Sequence, residues 1–149
     1  APPGLGKTTL LRELVRCISE GEGGPALRVG LTDERGEVAA LYGGMPQLEV
    51  GRRTDVIEGC SKARGAMLLL RAMNPQVLAM DEITAPEDVD ALTAAAGCGA
   101  VLLATAHGER GGLSSRPLYR RLLEEKIFRR LVTIGRGTAG REYEVKELC

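Results

Sequence analysis

The first nine residues, Ala1-Pro2-Pro3-Gly4-Leu5-Gly6-Lys7-Thr8-Thr9, have the types and spacing to hold phosphate. They follow the pattern G-x-x-x-x-G-K-[ST] with Ala1 in place of the first glycine. Pro2 and Pro3 have no N–H, but Gly4 to Thr9 supply consecutive backbone donors. Gly4 and Gly6 admit close approach and a left-handed backbone. A helix that follows at once turns its positive end to the same place. Gly4, Leu5, Gly6, Lys7, Thr8 and Thr9 are therefore the candidate nucleotide-binding residues. Lys7 would bridge the β- and γ-phosphates, and the Thr8 hydroxyl would ligate Mg²⁺. A Gly/Pro turn before an ordinary helix is the blander reading.

Val77-Leu78-Ala79-Met80-Asp81-Glu82 is an apolar strand ending in two acids, a Walker B arrangement. Asp81 would hold Mg²⁺, directly or through its water. Glu82 would polarise the attacking water as general base. An acidic helix cap at a strand end is the competing reading. Leu103-Ala104-Thr105-Ala106-His107-Gly108 is a second apolar strand ending in polar groups. Neighbouring strands of such a sheet end at one rim, so Thr105 or His107 would reach the γ-phosphate or the lytic water. The alternative is a loop histidine without a role. Gly51-Arg52-Arg53-Thr54-Asp55 offers two arginines as fingers, within a subunit or across an interface, or as a solvated pair. Thr32-Asp33-Glu34-Arg35 either orients water or metal or forms a surface turn.

These residues need a scaffold of alternating helices and strands, which predicts an α/β fold with a mainly parallel sheet. Lys7–Glu20 reads as a helix with Leu10, Leu11, Leu14, Val15 and Ile18 on one side. Ala26–Leu31 reads as a strand, Thr32–Glu37 as a charged turn, and the glycine- and charge-rich 43–59 as a long loop. Lys62–Met73 is helical and is broken by Asn74-Pro75. Gln76–Met80 and Gly99–Thr105 are buried strands, with a helix over Pro86–Ala96 between them. A helix over Ser114–Glu125 follows the glycines at 111–112. Ile127–Ile134 and Glu142–Leu148 close the chain as a hairpin across 135–140.

The 149 residues suit one domain, and 44% hydrophobic residues supply a core. Aromatics are only 3%, which leaves few stacking platforms for single-stranded nucleic acid. Twenty basic against twenty acidic residues argues against a dedicated nucleic-acid or anionic-membrane binder. The balance is uneven: residues 107–149 carry 10 basic and 6 acidic groups. That basic tail either touches phosphates or an acidic partner, or is a solvated face. Cys17, Cys60, Cys98 and Cys149 form no CxxC, and the lone His107 completes no zinc pattern. Such scattered cysteines suit a reducing cytosol. No apolar run approaches the ~18 residues of a membrane span.

Four stretches, PPGLGKTTLLREL, VGLTDERGEVA, GRRTDVIEGCSKARGAMLLLRAMNPQVLAMDEI and LLATAHG, run in order across nearly the whole chain. Together they resemble the stage III sporulation protein AA family, AAA-type ATPases of endospore-forming bacteria. That family is similar in turn to the type II and type IV secretion ATPases, ring-forming motors with a Walker A, an acidic box, a Walker B and a histidine box. Their counterparts here would be the loop ending at Lys7-Thr8, Asp33-Glu34, Asp81-Glu82 and Thr105-His107. Arg52 and Arg53 sit where that superfamily places arginines near the nucleotide. The resemblance implies a P-loop NTPase, RecA/AAA-like, that uses ATP and Mg²⁺. It implies a homo-oligomeric ring, six subunits being one candidate size, recruited by membrane-bound components of a sporulation transport complex. The expected location is cytoplasmic, peripheral at the inner face of a membrane through those partners.

The strand that feeds the phosphate loop in such folds is absent, which leaves an open slot with exposed edges. We therefore expect residues 1–149 to be an N-terminally truncated P-loop ATPase domain of a longer protein. Two other functional classes stand beside the motor: an ATP-dependent nucleic-acid protein, and a nucleotide-gated interaction module without turnover. No N-K-x-D stretch marks guanine recognition.

Overall fold

The computed structural model describes residues 1–108, 112–113 and 115–148. The chain runs through α1 (Lys7–Glu20), β1 (Val29–Asp33), β2 (Leu41–Tyr42), β3 (Met45–Pro46), β4 (Thr54–Glu58), α2 (Lys62–Met73) and β5 (Val77–Met80). It continues through α3 (Pro86–Gly97), β6 (Val101–Ala104), α4 (Pro117–Glu124), β7 (Arg130–Gly137) and β8 (Gly140–Glu147). Helices α1 and α2 have the limits their sequences predict, for local reasons. Helix α1 lies between Gly6 and Gly21, both in the left-handed region that glycine adopts freely. Helix α2 starts after Ser61, whose side chain accepts the Arg64 N–H, and stops at left-handed Asn74 before Pro75.

Four parallel strands form the main sheet, in the order β4-β1-β5-β6. Strand β5 is buried throughout and shows how both faces are covered. Val77 and Ala79 join Leu11 and Val15 of α1, with Val29 and Leu31 of β1. Leu78 and Met80 face the other way, into a core with Ala66 and Leu69 of α2, Val89 and Leu92 of α3, and Tyr119 of α4. Helices on both faces account for the unbroken apolar run of β5. Because the strands run one way, Asp33, Asp81 and Thr105 arrive at one rim.

The structure corrects several boundaries. Residues 43–59 are not one long loop. Gly43 and Gly44, both at positive φ, turn a short β2–β3 hairpin. Thr54–Glu58 then pairs with β1, Leu31 opposite Val56. The charges that read as a loop, Asp55 and Glu58, belong to an edge strand, where charge deters unwanted pairing. The closing hairpin is shifted along the chain and its turn is tighter: β7 starts at Arg130 rather than Ile127 and runs through Gly135 and Arg136 to Gly137, opposite Gly140. Helix α4 begins only at Pro117, whose fixed φ suits a first helical turn. Gly111, Ser114 and Cys149, named in the sequence reading, lie outside the described residues.

Strand β6 forms the other edge of the sheet. An apolar groove of about 350 Å³, lined by Leu10, Leu14, Leu103, Leu122, Leu131 and Ile134, lies between it and the β7–β8 hairpin.

Beyond β1 the chain turns sharply around Asp33. Its buried carboxylate accepts the backbone N–H groups of Glu37, Val38 and Ala39 at 2.8–3.1 Å. Removing that acceptor strands buried donors. Asp33→Ala is expected to lower the unfolding free energy by about 2–4 kcal/mol. In urea melts this would be a fall in midpoint at unchanged slope.

Candidate functional site

The residues before α1 form a loop shaped by two left-handed glycines, Gly4 (φ 76°) and Gly6 (φ 88°). Leu5 between them is buried and anchors the loop. Gly6 caps α1 without a side-chain acceptor, and the first turn contains no acid. The first N–H groups of α1 are thus left for an external anion, at the positive end of the helix. Lys7 curls back over the loop, its Nζ donating to the carbonyl oxygens of Ala1 and Pro2 at 2.9 and 3.0 Å.

Asp81, the first residue after β5, joins three elements. Its Oδ2 accepts the Thr8 hydroxyl of α1 at 3.0 Å. Its Oδ1 accepts the Thr105 hydroxyl, just beyond β6, at 2.6 Å. The Thr105 oxygen in turn accepts the Glu82 N–H at 2.7 Å. Parallel pairing sets this up: the Ile83 N–H donates to the Thr105 carbonyl and the Thr105 N–H to that of Met80. Lys7, Thr8, Asp81, Glu82 and Thr105, distant in sequence, therefore share one rim.

Glu82 has a left-handed backbone, φ 54°, which costs a non-glycine residue energy and clusters at functional sites. Its carboxylate pairs with Arg35 at 3.5 Å. A cavity is lined by Glu82, Thr84, His107, Arg116 and Tyr119. His107 is half-buried there.

The acids after β1 are already engaged. Asp33 holds its own turn, and Glu34 pairs with Lys62 at 3.3 Å. Lys62 is almost buried, donates to the Thr84 hydroxyl at 3.0 Å and lies 3.6 Å from Asp88. Asp88 accepts the N–H groups of Thr84 and Ala85, ordering the turn after Glu82.

Arg52 and Arg53 are not brought to this rim. They precede β4, at the opposite end of the sheet. Arg52 binds Glu20, the last residue of α1, through its guanidinium at 3.0 Å and its backbone N–H at 2.8 Å. With 14 residues, α1 separates that pair from the phosphate loop by about 20 Å. Arg35, at the rim, passed in the sequence as part of an acidic turn, and Lys62 as a helix start. Nothing local to either residue signals its partner. Thr9, in the first turn of α1, is exposed.

The comparisons agree with one another. A family model for sporulation stage III, protein AA matches residues 1–147. The stage III sporulation protein AA of Bacillus subtilis (strain 168) is 41% identical over 149 residues, covering 96% of this chain and 48% of that protein. The chain thus spans about half the length of this curated relative. Among solved structures, the VirB11 ATPase from the Brucella suis type IV secretion system, in complex with sulphate, superposes with a TM-score of 0.67. The match covers 98% of this chain and 46% of that one, at 17% identity. At that identity the likeness establishes the fold, the α/β architecture of P-loop type.

The placement of Arg52 can be read by titration. The Glu20 carboxyl is held below the ordinary carboxylate value, chiefly by the hydrogen bond from the Arg52 side chain and next by the Arg52 backbone N–H. Because the folded value is the lower one, the pair's contribution is present above the ordinary carboxylate pKa and is lost as pH falls through the folded one. In Arg52→Ala the Glu20 midpoint, followed by NMR, is expected to move up toward the ordinary value.

Proposed function

The chain belongs to the sporulation stage III, protein AA family, and from that premise we propose that it hydrolyses ATP to ADP and phosphate with Mg²⁺. The turnover would power a sporulation-associated secretion or transport apparatus. One observation carries this reading: Asp81 binds the hydroxyls of Thr8 and Thr105 at the head of the phosphate loop, with Glu82 next in the chain.

The donor set suits Mg²⁺. Among the described residues no three His, Cys, Asp or Glu side chains gather into a metal site. Mg²⁺ needs no such cage, because it keeps several waters and takes one or two protein oxygens beside substrate phosphates. Thr8 and Asp81 would supply those oxygens. When bound, the ion would neutralise charge on the β- and γ-phosphate oxygens.

The remaining work falls to the chain itself. Backbone N–H groups of Gly4 to Thr9, Leu5 included, cradle the phosphates. Lys7 exchanges its contacts with the carbonyls of Ala1 and Pro2 for phosphate oxygens, which are stronger, charge-assisted acceptors. Glu82 takes a proton from water as its oxygen bonds to the γ-phosphorus and the bond to ADP breaks. Thr105 fixes Asp81 and the Glu82 backbone, and His107 borders the same cavity. Arg52 and Arg53, remote from their own loop, would act across a ring interface on a neighbouring subunit's nucleotide. Residues 1–149 would form the P-loop ATPase domain of a longer protein. Among the described residues no helix is long and apolar enough to cross a membrane. Contact with a membrane, at its cytoplasmic face, would come through partners.

A second reading, a nucleotide-gated module without turnover, has one observation in its favour. Arg35 occupies the Glu82 carboxylate, and an oxygen engaged by a guanidinium is not free to hold a water.

Turnover and binding by the full-length protein with Mg²⁺ separate the two. Lys7→Ala is expected to abolish ATP binding. Glu82→Gln is expected to keep binding and lower kcat by about 100-fold or more. Binding with no Glu82-dependent turnover would select the gated module. In the hydrolase, Arg35→Gln frees Glu82 and is expected to raise basal kcat.

A further inference from the structure

The basic excess of the C-terminal segment has a local consequence at the phosphate loop. The β7–β8 hairpin folds against that loop, and Pro2, Pro3 and Leu5 line a cavity with Thr133, Ile134 and Arg136. Arg136 stands directly opposite Arg141 in the ladder, two positions' reach from the Thr138-Ala139 turn. Residues directly opposite share a face, so two guanidinium groups project from the same side of the same end. Like charges in that relation are destabilising. Neither arginine has a hydrogen-bond or ion-pair partner among the described residues. Elsewhere on the hairpin the chain does supply one: Arg130 pairs with Glu147 at 2.7 Å.

Arg141 also reaches the loop itself. A Cβ added to Gly6 would lie 2.7 Å from its Nη1 and 2.8 Å from its Cζ. Gly6 is the residue that caps α1 and leaves the first N–H groups of the helix without an acceptor. Arg141 and the positive end of the helix thus meet at Gly6, with exposed Arg136 near Pro2, Pro3 and Leu5 and no carboxylate in the first turn. An anion would relieve the repulsion between the arginines and satisfy the helix terminus together.

We propose that Arg141, with Arg136 beside it, is a phosphate-contacting residue of the nucleotide site, supplied in cis by the C-terminal hairpin. The ligand class is a nucleoside di- or triphosphate, gripped through its phosphate chain rather than its base. The inference rests on the nucleotide-binding reading of the loop and adds to it a second element, remote in sequence. It also gives the tail's charge a use that needs neither nucleic acid nor membrane.

The test uses the full-length protein and competition against a fluorescent ADP analogue, with Mg-ATP, Mg-ADP and inorganic pyrophosphate as competitors. Pyrophosphate has no base, so it reports the phosphate contact alone. Arg141→Ala is expected to weaken Mg-ATP and pyrophosphate alike by about tenfold, the loss of one charge-assisted contact. Arg141→Lys keeps the charge but not the fork and is expected to lose less. Arg130→Ala, at the far end of the hairpin, is expected to bind within about twofold of wild type. Without nucleotide, Arg141→Ala is expected to melt at the same temperature or higher, since a like-charge pair is removed. A structural role for Arg141 would lower it. Pyrophosphate binding unchanged in Arg141→Ala, or weakened equally in Arg130→Ala, would overturn the proposal. Lys7→Ala keeps the two failures apart. If it abolishes binding while Arg141→Ala does not, only the hairpin contact is wrong. If Lys7→Ala binds normally, the loop is not a nucleotide site and the hairpin inference falls with it.

Discussion

The Asp81 carboxylate is the joint on which the arrangement turns. One oxygen takes a hydroxyl from α1 and the other a hydroxyl from the segment after β6. Those elements lie in different layers, and no apolar contact fixes their relative position to within a hydrogen-bond length. A carboxylate at the end of a fully buried strand does, because β5 cannot slide without moving Leu78 and Met80 out of one core and Val77 and Ala79 out of the other. The cores set the height of Asp81, and Asp81 sets the heights of Thr8 and Thr105. Hydrogen bonds to a charged group are stronger than neutral ones and give this joint its stiffness.

Around that joint most of the charged groups have partners within the chain. Lys7 binds two carbonyls, Arg35 the Glu82 carboxylate, Lys62 both Glu34 and Thr84. The division of labour among the acids follows from burial. Asp33 is enclosed and serves three backbone N–H groups, which leaves it little capacity for anything else. Glu82 is partly open to solvent and held by a single exposed arginine, a pairing that solvent weakens. The first is fixed architecture and the second is exchangeable.

What the sequence discloses follows the range of the interactions. Helices α1 and α2 end at glycine, asparagine and proline, local signals that need no knowledge of the fold. Strands β5 and β6 announce themselves by apolar runs, although β6, expected to be buried, is an edge strand with Val101 exposed. Strand β4 does not, because its outer side meets water and its charges imitate a loop; only the register with β1 shows that Thr54–Glu58 is a strand. The candidate loop and the two acids were legible because short motifs carry them. Arg35, Lys62 and Arg141 were not, because each meets its neighbours across the fold, and a lone cation in a sequence looks the same whether paired or solvated. Arg52 shows how far a local reading reaches. A pair of arginines in a glycine-flanked loop reads as fingers, within a subunit or across an interface, whereas the first of them pairs with Glu20 at the end of α1 remote from its own phosphate loop.

Glu82 sits where an L-residue with a long side chain is least at ease, at φ 54°. Glycine there would relax the backbone, and asparagine would tolerate it better than glutamate does. A population of such chains selected for folding alone would drift toward those smaller residues at position 82. Glutamate at that position thus marks a standing tension between heritable stability and whatever task its carboxylate performs. A screen for thermostable variants of this domain is therefore liable to return proteins that fold better and have lost the group that matters.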